Sequence, residues 1–451
     1  MRLITPSLIV EDCDGFENDV LQRKFFGEAL SNLVIRTTDE LVISIDGKWG
    51  EGKTTFVKMW QGHLKDNGVP SIYIDAFQND YTDDAFISIA GAITTYVAKN
   101  SSEDKTRVSF SDKAKKVGVR LFSWSAKIGI KAATLGVVKE ADISELSEIG
   151  NDIATNASDA VSKLIEERLS SYEKEHDIIQ SFKDSLSEIP SSLKGNNSGR
   201  LVIIIDELDR CRPSFAVEVL EKIKHLFSVK NITFVLVMHK SQLEEAIKSV
   251  YGRDIDAHTY LQKFISIETT IPKRIIERHN NDFNSYITHL LSVHELETWG
   301  DDNLIRDCVC SLGRHLNLSL RQLEKVFTNI AIIYSTSGKN HLRLVPIITF
   351  ISTLKVAKPN IFKRVFSGNI SYAELSRELE LTHLGENNEH ERNLTWIMDW
   401  VRFSILTDEE YKMINEHDNI KHFSQSLWQY NINREGLLPI FCNKLCLFKA
   451  N

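Results

Sequence analysis

Between Gly47 and Thr54 the chain reads Gly-Lys-Trp-Gly-Glu-Gly-Lys-Thr, which packs three glycines, two lysines and a hydroxyl into one tight stretch. A polyphosphate calls for such a stretch, because its charges are met by backbone N–H groups and by the positive end of a helix. Gly47, Gly50 and Gly52 let the main chain approach closely with no Cβ in the way. Lys53 brings a point charge to the β- and γ-phosphates, and Thr54 offers its hydroxyl to Mg2+. Lys48, Trp49, Glu51 and Thr55 complete the loop and its exit. The expected cofactors are therefore ATP and Mg2+.

A second group stands far along the chain. Asp206 ends the aliphatic run Leu201-Val-Ile-Ile-Ile205, where a carboxylate can hold the water shell of Mg2+. Glu207 beside it can orient or deprotonate an attacking water. In Asp209-Arg210-Cys211-Arg212-Pro213, Arg210 or Arg212 has the reach for a γ-phosphate, in cis or from a neighbouring subunit. The competing role for each is a salt bridge to Asp209 or Glu207 that stiffens the loop. His239 follows another apolar run, Ile232–Met238, where a polar side chain can sense the γ-phosphate. Arg321, in Ser319-Leu-Arg-Gln-Leu-Glu-Lys325, can bring a helical region onto the nucleotide, with an exposed helical arginine as the equal competitor.

The elements that must position these residues are legible as patterns. Leu41–Ile45 and Ser71–Asp75 are of strand length, and Leu201–Ile205 is apolar throughout, as a strand covered on both faces requires. Ile232–Met238 and Phe264–Ile271 extend the series. Helices are expected over Thr54–His63, Ala85–Val97, from Ser214 through Phe215, Val219, Ile223 and Leu226, and over Gln242–Tyr251. An amphipathic helix marked by Val20, Phe25, Leu30 and Leu33 precedes them. Strands alternating with helices predict a three-layer α/β domain with a parallel sheet.

Residues 100–185 hold no clear strand. Val117, Leu121, Trp124, Ile128 and Leu135 form one stripe, flanked by Lys116, Arg120 and Lys127. Arg120, Lys127 and Lys131 would each cost about 2.5–3.5 kcal/mol at a bilayer centre, so the stripe predicts packing on protein, or membrane-surface contact through 113–138, rather than a span. An acidic helical stretch over 141–185 carries Leu146, Ile149, Ile153, Ala160, Leu164 and Ile165 on its apolar side. Beyond about residue 273 the pattern is almost wholly helical, and Trp396, Trp400, Trp428, Phe403, Phe423 and Phe441 read as core.

The bulk numbers fit a globular chain of 451 residues, 42% hydrophobic and 26% charged, with a net charge of −8. That field repels phosphate polymers, so a nucleic-acid partner would need a local basic surface. Six cysteines lack disulfide-framework or zinc spacing, and reduced, buried thiols are expected. The start of the chain lacks an apolar secretory region, which points to the cytoplasm or to the inner face of a membrane.

With these residues in view, the chain resembles the KAP P-loop NTPases. The likeness rests on the segment from Asp46 to Thr55, on Ile74-Asp-Ala-Phe77, on Ile203–Pro213 and on Tyr260–Phe264 with Pro272 after it. It covers about residues 15–275 and, more weakly, the helical part to 335. The resemblance implies an insertion between the second strand and the metal-binding strand, often built of membrane helices; residues 100–185 fit its place and are too charged to span. Glu207 stands where the family commonly has aspartate, and His239 where it more often has an acid. Prokaryotic members are similar to components of phage-defence or plasmid-exclusion systems.

The expected organisation is an NTPase domain over 1–99 and 186–275, a helical insertion over 100–185, a helical lid-like domain over 276–345 and a C-terminal helical domain over 346–451. The expected function is ATP hydrolysis by Glu207, Lys53 and Arg210, driving a conformational or assembly switch with self-association or an operon-encoded protein as partner. The alternative is an ATP-binding scaffold with little turnover, peripheral to a membrane.

Overall fold

The computed structural model describes residues 2–5, 15–82, 84–101, 105–118, 176–273, 282–382, 389–415, 418–430 and 432–447. Cys13, Leu121, Trp124, Ile128, Leu135, the flanking Arg120, Lys127 and Lys131, and the acidic stretch from Leu146 to Ile165 lie outside the described residues, as does the side chain of Trp428. The expected surface contact through 113–138 thus falls mostly outside them.

Five segments become the strands β1 (Leu41–Asp46), β2 (Ser71–Asp75), β3 (Leu201–Asp206), β4 (Ile232–Met238) and β5 (Ile267–Thr270). They form one parallel sheet in the order β2-β3-β4-β1-β5. Every residue of β3 and β4 is buried, which is why both read as unbroken aliphatic runs. The last strand is shorter than the expected Phe264–Ile271, because Phe264 and Ile265 close a turn on Leu261 before pairing begins.

Helix α1 (Lys24–Arg36) and α2 (Lys53–Asp66) cover one face of the sheet. The buried stripe of α1 is Gly27, Leu30, Ser31 and Val34, and the Ser31 hydroxyl accepts from Trp60 Nε1 at 2.9 Å. Phe25, an expected stripe marker, is 59% exposed, and Val20 precedes the helix. Leu30 is common to both stripes, and Gly27 admits the Phe16 ring where a Cβ would stand 2.4 Å from it.

The opposite face is covered by α3 (Ala85–Asn100), α4 (105–118), α5 (176–192) and α6 (Pro213–Lys222). Phe110 on α4 and Phe182 on α5 meet Phe86 and Phe227 in a cluster of rings 5.4–5.6 Å apart. The two ends of the 100–185 stretch therefore share a core with the sheet, and Val117 is buried there. Helix α7 (Lys240–Tyr251) follows β4.

The helical remainder contains α8 (Asp282–His294), α9 (Asp302–His315), α10 (Leu320–Ser335), α11 (Val345–Ala357), α12 (Glu389–Ile405) and α13 (Leu437–Cys446). Ten consecutive residues of α11, from Val345 to Leu354, are buried, as an apolar helix at the centre of a bundle must be. One hydrophobic cluster runs from Ile287 to Leu445, so the helices of 276–345 and 346–451 share a core; Trp400, Phe403 and Phe441 are in it, with Trp396 and Phe423 packed against it. Among the described residues no helix is long and apolar enough to cross a membrane. Cys211, Cys308, Cys310 and Cys442 are buried free thiols, whereas Cys446 is exposed.

Candidate nucleotide site

The order of the sheet decides what surrounds the phosphate loop. Strand β4 sits between β1 and β3, and the Met238 carbonyl at its end accepts from Gly47 N–H at 3.1 Å. The loop then turns through Gly50 and Gly52, whose φ values of +80° and +79° suit only glycine without strain. Glu51 stiffens the turn: its carboxylate accepts from Lys48 N–H at 2.9 Å and from Lys273 Nζ at 2.5 Å. Its carbonyl accepts from Arg23 Nη1 at 2.9 Å. Lys53 opens α2 and is buried, with Nζ donating to Gly47 O at 2.5 Å and to Lys48 O at 3.3 Å. Burial lowers its pKa, opposed by Asp209, Asp206 and Glu51. Trp49 is half exposed; its Nε1 donates to Asp209 Oδ2 at 2.5 Å and its ring meets His239 edge-on at 5.6 Å.

Asp206 ends β3 at 1% exposure. Its Oδ1 accepts from Glu207 N–H at 2.8 Å and its Oδ2 from the Tyr73 hydroxyl at 3.0 Å, and the Thr54 hydroxyl favours its ionised form. Burial raises its pKa above the ordinary carboxylate value, because those bonds and nearby Lys53 offset only part of the lost hydration. Glu207 turns the chain with φ +60°, a left-handed conformation unusual for a residue with a Cβ. Its carboxylate pairs with Arg210 Nη1 at 2.8 Å, and burial raises its pKa against that cation. Lys53, Thr54, Thr55, Asp206, Glu207, Asp209 and Arg210 line one cavity of about 450 Å3, together with Trp49, Gly50 and Gly52. The two sequence-distant halves thus face a single space. A hydroxyl and a carboxylate lining one cavity are hard oxygen donors, a pair that fits Mg2+, which takes few protein ligands and keeps much of its water.

A model of the KAP family P-loop domain matches residues 23–337. The chain belongs to that family. No curated protein matches it. Among solved structures it is similar to the Aeropyrum pernix ORC2 protein in its ADPNP–ADP complexes, with 12% identity, 94% of each chain covered and a TM-score of 0.36. The KAP match takes in all five strands and the helices through α10, and leaves α11 to α13 beyond it.

The far walls of the KAP cavity were not legible in the sequence. Asn18, Asp19, Val20 and Leu21, ahead of α1, form one; Tyr286, His289, Leu320, Arg321 and Glu324, on α8 and α10, form another. Arg321 alone among them was expected at the nucleotide, and it lies at the cavity. A capping box between Ser319 and Gln322 starts α10 there, and the Arg321 N–H donates to Gly50 O at 3.3 Å. Arg212 goes elsewhere. Its backbone N–H and Nε bind the Asp80 carboxylate at 2.8 and 2.9 Å, and Nη2 donates to Thr82 O at 3.0 Å, so its salt bridge is to a partner other than the expected Asp209 or Glu207. His239 lines a separate groove with Asp46, Gly47, Lys48 and Glu51, its Nε2 paired with the Ser241 hydroxyl at 3.1 Å.

Proposed function

We propose that the protein is a Mg2+-dependent ATPase whose nucleotide state is transmitted to its helical region. The observation that carries this reading is the shared cavity in which Lys53, Thr54, Asp206 and Glu207 meet the first turn of α10. The N–H groups of the loop and the start of α2 hold the phosphates. Lys53 gives up the carbonyls of Gly47 and Lys48 for the β- and γ-phosphate oxygens, whose charge favours its protonated form. Thr54 and Asp206 hold Mg2+, which when bound offsets charge on the phosphate oxygens. Glu207 takes the proton of the attacking water, and Arg210, released from it, turns to the γ-phosphate. Loop movement on binding or hydrolysis pulls on Gly50 and hence on Arg321 and α10.

Multi-turnover phosphate release by the full chain tests the reading, with Glu207→Gln as control. Release no greater than the control favours a second reading, an ATP-binding scaffold, which the Arg210 pair on Glu207 supports because it occupies the expected base. Mass measurement with and without ATP tests whether the switch drives self-association. A role in phage or plasmid exclusion rests on the resemblance alone; equal plaque counts on cells carrying the wild-type or the Lys53→Ala chain would remove it.

A further inference from the structure

Side chains alternate between the faces of a strand, and β2 pairs with β3 so that Tyr73 lies opposite Ile204 and Asp75 opposite Asp206. Tyr73, Ile204 and Asp206 consequently share the face covered by α2. On that face a core-facing residue needs no polar group, and Ile204 and Val202 have none. Tyr73 does. Its hydroxyl is carried past the apolar layer to the end of the sheet, where it meets Asp206 Oδ2 at 3.0 Å. The ring is held from the other side by Lys58, whose Nζ lies 5.7 Å from its centroid.

The two Asp206 oxygens are thus each tied to the protein frame, Oδ1 to the Glu207 N–H and Oδ2 to Tyr73. The nearby Thr54 hydroxyl, which favours the ionised carboxylate, is the group that the proposed function assigns to Mg2+. We propose that Tyr73 is a positioning residue that aims the Asp206 carboxylate at the Mg2+ of bound nucleotide, a role resting on the ATPase reading above. When Thr54 turns to the metal, Tyr73 is the side chain that still fixes the carboxylate's rotation. Burial and the neighbouring Asp206 keep the phenol well above its ordinary pKa, so it remains a donor. A hydrogen bond of this kind raises metal affinity by preventing the carboxylate from rotating away.

Tyr73→Phe removes the hydroxyl and keeps the ring. The test titrates MgCl2 into the full chain with a fluorescent non-hydrolysable ATP analogue, and also measures analogue affinity in EDTA and the thermal midpoint. The expected result is a half-saturating Mg2+ concentration raised roughly tenfold, with affinity in EDTA unchanged. A half-saturation within twofold of wild type overturns the proposal, and a lowered midpoint without a Mg2+ shift assigns Tyr73 a packing role instead. If the wild-type chain binds the analogue equally in Mg2+ and in EDTA, the magnesium reading itself fails, which a silent Tyr73→Phe would not imply.

Discussion

Arg321 donates its backbone N–H to the carbonyl of Gly50 at 3.3 Å, joining the first turn of a helix outside the sheet to the crest of the phosphate loop. The contact is tight. A Cβ on Gly50 would stand 2.8 Å from Arg321 Cβ and 3.0 Å from Ser319 Oγ.

Gly50→Ala should therefore destabilise the protein by about 2–3 kcal/mol, combining left-handed backbone strain with overpacking. Gly195 is the control, since its φ is +71° and a Cβ there would meet nothing within 4 Å. Gly195→Ala should cost only the strain, about 1–2 kcal/mol. Equal losses in denaturant unfolding would mean that α10 does not press on the loop.

Glu207→Gln should slow phosphate release by about 10²–10⁴-fold while leaving nucleotide affinity near wild type. The pH dependence has a definite sign. Glu207 must be ionised to act as base, and burial holds its pKa above 4.5, so the rate falls on acidification through that raised value. Arg210 opposes the rise from 2.8 Å. In Arg210→Ala the acidic limb of the kcat/KM profile, which reports the free enzyme, should move to higher pH; an unmoved limb would argue against Glu207 as the base.

Asp206→Asn should make the nucleotide-free protein more stable while removing Mg2+-dependent binding. The ionised carboxylate is the penalised form, because its folded pKa is raised by burial. The penalty is full above that raised value and is relieved as pH falls toward 3.8. The gain should be about 1 kcal/mol at neutral pH and should shrink on acidification. Thermal melts of both chains across pH, without nucleotide, check the direction.

Arg212→Ala should leave nucleotide binding intact, because its guanidinium holds Asp80 and the Thr82 carbonyl instead of the cavity. Its side chain is 52% exposed, so solvent screening keeps the stability loss to about 1 kcal/mol. A marked loss of affinity would show that the 80–82 segment shapes the site.

How much of this was written in the sequence depends on the range of the interaction. The glycine loop, Lys53, Thr54 and the strand ending in Asp206 were legible because each is a local demand: left-handed φ values at Gly50 and Gly52, a helix starting at Lys53, a doubly covered run at Leu201–Ile205. Arg210 and Arg212 are alike in sequence, two positions apart, and a salt bridge was a fair expectation for either. Arg210 makes one of the expected pairs, with Glu207, whereas the pairing of Arg212 with Asp80, 132 positions away, was not legible.

The sequence alone determined that a glycine loop opening a helix and a buried strand ending in Asp206 exist, because backbone freedom and unbroken burial leave their mark on neighbouring residues. Only the tertiary structure decided what closes the site: Val20 and Leu21 from one side, Arg321 and Glu324 from the other, and Tyr73 behind Asp206. Those contacts join separate segments, Tyr73 and Asp206 being 133 positions apart, through the strand order and the packing of α10, and no periodicity within a single segment encodes which distant segment it will meet.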